Sequence, residues 1–147
     1  MRLPKLPVLA LVLLSAILAA PPARAKSVLF LSAPPLQAGK YERIAPLAEE
    51  AGIDMEYRFI DKPGTETTAA ELSRYDLVFI DAPYGTALGA AQARIAPLLP
   101  GVTSPWIWIR RDKVAAGGGM SREAAELLNT YYSNGGRANF SALFCQI

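Results

Sequence analysis

Apolar and polar positions alternate along this chain in blocks that spell a layered α/β fold. Ser27–Ser32 (SVLFLS) is a short apolar run that enters a Pro34-Pro35 turn. Ile53–Ile60 (IDMEYRFI) alternates, with Ile53, Met55, Tyr57 and Phe59 on one side and Asp54, Glu56 and Arg58 on the other. That period of two with a charged face predicts an edge or partly exposed strand. Tyr75–Asp81 (YDLVFID) is a third run, and Pro105–Arg110 (PWIWIR) a fourth. Between them lie helical spacings. Ile44, Leu47, Ala48 and Ala51 make the inner stripe of a helix over about 40–51, with Glu42, Arg43, Glu49 and Glu50 outside and Gly52 as its stop. Thr68-Ala69-Ala70-Glu71 fits a capping box opening a short second helix. A third is expected over about 86–99, ended or kinked by Pro97 and closed by Pro100-Gly101. Apolar strands separated by helices predict an open parallel sheet of about four strands with flanking helices, flavodoxin-like or Rossmann-like. Ala115–Met120 (AAGGGM) reads as a flexible segment, followed by C-terminal helices from Ser121 and from about Asn139.

In such a sheet, ligands bind beyond the carboxyl ends of the strands. Ser32 and Asp81 both fall at strand ends and are candidates for a polar ligand floor; each is equally explained as a local turn or cap residue. Trp106 and Trp108 share one side of their strand. They are either a stacking platform for a planar ligand or core cover beneath a helix. Arg110 opens the cluster Arg110-Arg111-Asp112-Lys113, placed to meet carboxylates of an acidic ligand or to form a solvated turn.

The first 25 residues alter the charge balance. Arg2 and Lys5 precede the apolar run Val8–Ala20, and Ala23-Arg24-Ala25 supplies a small-x-small cleavage site, so residues 1–25 are expected to be a signal peptide cut before Lys26. The run is short for a membrane span, so no stable span is expected after cleavage. Export, to a bacterial periplasm, follows as the expectation. The 147-residue chain carries 15 Lys+Arg against 13 Asp+Glu; the leader holds three cations (Arg2, Lys5, Arg24) and no acid, leaving twelve against thirteen, net −1. A basic, nucleic-acid-binding protein therefore has no support. Residues 26–147 suffice for a single α/β domain with its own core.

The chain has no His, which removes the commonest metal ligand and the commonest neutral-pH base. No Ser–His–Asp triad can be built, and a hydrolase using Ser32 and Asp81 has no base. Cys145 is the one cysteine, so no internal disulfide forms; it is either a small buried hydrophobe or a reactive thiol.

The segment Tyr131-Tyr132-Ser133-Asn134-Gly135-Gly136-Arg137-Ala138-Asn139-Phe140 resembles the large subunit of ATP-dependent cobalt and magnesium chelatases, the CobN-type cobaltochelatase and magnesium chelatase family. In that family an aromatic residue, a Gly-Gly pair and an Asn before a hydrophobic helix open a shared region. The α/β stretch before it is similar to the family's N-terminal domain. The resemblance implies a subunit of cobalamin biosynthesis that binds a tetrapyrrole, a corrin for the cobalt enzyme. Partner ATPase subunits would drive insertion of cobalt (or magnesium). The family's large subunit is much longer, so this chain corresponds to its N-terminal portion and is expected to be inert as an enzyme alone. Gly135, Gly136 and Asn139 carry over as motif residues, expected to form a tight turn and a cap rather than a metal site. The leader supports a different class as the alternative: an exported, non-enzymatic binding or interaction module linked to cobalt or cobalamin uptake.

Overall fold

The computed structural model describes residues 24–33, 38–60, 67–83, 85–110, 114–121 and 123. Residues 1–23 of the expected leader, Cys145, and the Tyr131–Phe140 motif with Gly135, Gly136 and Asn139 lie outside the described residues, as do the expected C-terminal helices beyond Glu123.

The elements run β1 (Lys26–Ser32), α1 (Ala38–Glu50), β2 (Ile53–Phe59), α2 (Ala69–Leu72), β3 (Leu77–Asp81), α3 (Gly85–Arg94), a 3-10 turn (Leu99–Gly101), β4 (Trp106–Ile109) and β5 (Val114–Gly117). They build one five-stranded sheet in the order β2-β1-β3-β4-β5. The first four strands pair in parallel and β5 pairs antiparallel with β4. This is an α/β fold with an open, mostly parallel sheet.

Side-chain parity sorts the core into two layers. Val28, Phe30, Leu77, Phe79, Ile107 and Ile109 face α1, whose Ile44, Leu47 and Ala48 cover them. Leu29, Leu31, Val78, Ile80 and Trp108 face the other way, against Leu72 of α2 and Ala87 and Ala91 of α3. Burial on both faces is why β1 and β3 lack alternation, whereas β2, at the sheet edge, keeps it. The α1 helix stops where expected: Gly52 takes φ +72° and donates its N–H to the Glu49 carbonyl at 2.9 Å. Pro46 lies within α1 on the exposed side, where the carbonyl it leaves without an intrahelical donor can meet water.

Two expectations are corrected. The sheet has five strands rather than four, because Val114–Gly117, which takes in the first half of the run expected to be flexible, forms β5 opposite Trp106–Ile109. Two of the run's three glycines are packing requirements. A Cβ at Gly117 would lie 2.5 Å from the Trp106 ring, and one at Gly118 (φ +62°) would lie 1.8 Å from the Ser104 carbonyl oxygen. The third helix ends at Arg94, five residues early. Pro97 removes a donor and its ring displaces the carbonyl four residues before it. The chain accordingly leaves the α-helical pattern, Ile95 and Ala96 both donating to the Ala91 carbonyl at 2.9 Å, and enters a 3-10 turn.

Candidate functional site at the sheet's carboxyl rim

β1 and β3 are neighbours, yet the chain leaves them toward opposite faces. β1 feeds α1 on one side of the sheet and β3 feeds α3 on the other. Such a switch point is where open α/β sheets hold ligands. The register puts Ser32 directly opposite Asp81 across it. Both are 0% exposed and lie on the α1 side of the sheet, so they form a buried polar floor beneath the rim, not a solvent-facing pair. The backbone closes that end of β1 as well, the Ile60 N–H donating to the Ser32 carbonyl at 2.9 Å.

On the same face, the aromatics of β2 and α1 form a row. Tyr41 and Tyr57 ring centroids are 5.0 Å apart, Tyr57 and Phe59 5.0 Å, and Phe30 links Tyr57 (5.8 Å) to Phe79 (5.0 Å). Tyr41 is fixed by its hydroxyl, which donates to the Met55 carbonyl at 2.9 Å. Phe59 pairs in register with Ser32, so half-buried aromatic surface borders the polar floor. Sequence reasoning missed this row. The alternation that placed Tyr57 and Phe59 on one side of β2 was its signal.

Trp106, Trp108 and Arg110 face the other way, toward α3. Trp108 is 4% exposed and packs in the core; its indole N–H donates to the Ala82 carbonyl at 3.2 Å. Trp106, half-buried, packs against the same cluster and lies across Gly117. A buried indole is core, and it is not an open stacking platform. Arg110 continues β4 past Ile109, which pairs with Asp81. Its guanidinium carbon lies 5.4 Å from the Trp108 ring centroid. The parity of the sheet thus divides the sequence-predicted residues: Ser32 and Asp81 under one face of the rim, Arg110 above the other.

A second polar cluster sits at the β2 edge. Arg58 donates from Nη1 to Glu71 at 2.6 Å and from Nη2 to Glu56 at 2.7 Å, and Tyr75 donates its hydroxyl to Glu56. Hydrogen bonds from Tyr75 and Arg58 hold the Glu56 carboxyl below its usual range. Burial, then the bond to Glu56, pushes the Tyr75 hydroxyl up to about 12. For Arg58, burial opposes the charge, but the bonds to Glu56 and Glu71 outweigh it and the pKa rises. Thr68 caps α2 as expected, its Oγ1 accepting from the Glu71 N–H at 3.1 Å, while the Glu71 carboxylate turns to Arg58. These groups satisfy one another, and they tie β2 to the α2–β3 connection.

Among the described residues, no three His, Cys, Asp or Glu side chains gather to hold a metal ion. Nor, among them, is any helix long and apolar enough to cross a membrane. Comparisons with protein-family models, curated proteins and solved structures give no match.

Proposed function

We infer that this chain is a tetrapyrrole-binding domain, the N-terminal part of a cobaltochelatase-like large subunit, which holds a corrin at the β1/β3 switch point and performs no chemistry alone. The observation that carries the binding reading is the pairing of Ser32 with Asp81 at the point where the connections diverge. The Tyr131–Phe140 resemblance selects the ligand class. Half-buried Tyr57 and Phe59 beside the polar floor suit a planar apolar ring. The absence of His from the sequence fits a role in which metal and ATP are handled by other parts of the assembly. The leader supports an exported setting and, with it, cobalt or cobalamin acquisition as the biological context.

Titrating the full chain with dicyanocobyrinic acid, followed by quenching of Trp108 and Trp106, tests the reading. Saturable quenching in the micromolar range is expected, with roughly tenfold weaker binding in Phe59→Ala, the scale of one lost stacking contact. No saturable quenching at high micromolar corrin would refute it.

A further inference from the structure

We propose that Arg110 is the residue that recognises a carboxylate on the ligand's periphery, so that the site selects rings carrying free acids over their amides. The inference rests on the tetrapyrrole reading and adds to it a named contact and a preference.

Among the described residues, Arg110 is held but not paired. Among the described residues it makes no hydrogen bond and no ion pair, and its Nε is buried without an acceptor. Buried donors of this kind are rare and usually have a use. The contrast with Arg58 is direct, since two carboxylates close around that guanidinium. What Arg110 has instead is a platform. Its guanidinium lies over the Trp108 ring, and the Trp108 indole is anchored to the carbonyl of Ala82, the residue after Asp81. Stacking on a fixed ring restrains the guanidinium plane while leaving its edge donors for an anion. A planar fork of N–H groups matches a carboxylate with two parallel bonds and matches a neutral amide poorly.

The position suits a broad ligand. Phe59 ends β2 and Arg110 follows β4, three strand spacings apart, roughly 14 Å at the usual separation. A macrocycle set across the carboxyl rim, with one edge at Phe59 on the α1 side and its acid arms reaching over the rim to Arg110 on the α3 side, bridges that span. A small ligand reaches only one of the two features.

The test compares dicyanocobyrinic acid with dicyanocobinamide, which share ring and metal but carry carboxylates and amides respectively. Binding to the full chain is read by calorimetry for wild type, Arg110→Gln and Arg110→Lys. The expected result is at least tenfold tighter binding of the acid by wild type. Arg110→Gln should remove that preference and leave cobinamide affinity within twofold, while Arg110→Lys keeps part of it. If wild type prefers the acid and Arg110→Gln does so equally, the Arg110 assignment falls and the tetrapyrrole reading stands. If wild type binds both alike, the carboxylate preference falls. If neither corrin binds, both proposals fall together.

Discussion

At Gly118 one hydrogen atom in place of a methyl group lets the end of β5 close against the chain before β4. The residue takes φ +62°, and a Cβ there would sit 1.8 Å from the Ser104 carbonyl oxygen, a backbone atom that cannot step aside. Gly119 is the control beside it: φ is +83°, but nothing lies within 4 Å of its missing Cβ. Left-handed backbone costs an alanine about 1–2 kcal/mol at either site. Only at 118 does a clash add to that. Urea unfolding should therefore show Gly118→Ala destabilised by about 3 kcal/mol or more and Gly119→Ala by about 1 kcal/mol. Equal losses would mean that conformation alone, and not the approach to Ser104, sets the requirement. The same residue explains a failed expectation. A run of glycines carries no apolar pattern, so Ala115–Met120 reads as flexible. The reason for Gly118 lies fourteen positions upstream, in a contact that no local window spans. Ser32 and Asp81 were legible because an apolar run ends at each. The stacking of Arg110 on Trp108 was half legible: both residues stand out at i and i+2 of one strand, but the anchoring to Ala82 is tertiary.

The elements were readable in proportion to how far packing agreed with local pattern. β1, β2, β3 and β4 announce themselves because each is a run of strand-forming residues with the period its burial demands. α3 ended early because Pro97 acts on the turn before it, an effect set by backbone geometry rather than by the apolar stripe. At the β2 edge, the cluster of Glu56, Arg58, Glu71 and Tyr75 makes the element's stability depend on pH at both ends. Glu56 has a lowered folded-state pKa. Its contribution is complete above its ordinary value of 4.5 and is lost as pH falls through the folded value. Tyr75 is raised, from 10.0 to about 12. Its contribution is complete below pH 10 and is lost as pH rises toward 12. Tyr75→Phe should therefore flatten the alkaline decline of melting temperature between pH 10 and 12 relative to wild type. It should also make the acid decline shallower, because Glu56 loses its leading hydrogen bond and its folded-state value moves back toward 4.5. A wild-type-minus-variant curve with no slope in the alkaline window would show that the Tyr75 hydroxyl is not held protonated by this cluster.

For the whole molecule, the strand order decides both where stability is concentrated and where a ligand can sit. β1 is paired with β2 over its full length and with β3 over Val28–Ser32, the stretch that is buried. β3 is likewise central, with all five residues buried. β5 has four residues, only one bonded neighbour among the described strands, and side chains too small to bury much surface. Local opening is cheapest where buried apolar contacts are fewest. Amide exchange should then place Leu29–Leu31 and Val78–Ile80 in the most protected class, opening only with global unfolding. The amides of Val114–Gly117 should exchange at least tenfold faster, at lower opening free energy. The floor carrying Ser32 and Asp81 belongs to the slow class, so it is preorganised, and a corrin should leave its exchange unchanged. Protection gained on binding should appear at the rim instead, at Phe59–Ile60 and at Arg110. Ligand-induced protection spread evenly through β1 and β3 would mean that the corrin stabilises the fold globally without occupying the switch point. β5 amides as slow as those of β1 would mean that the sheet opens as one unit, and the ranking by burial would be wrong.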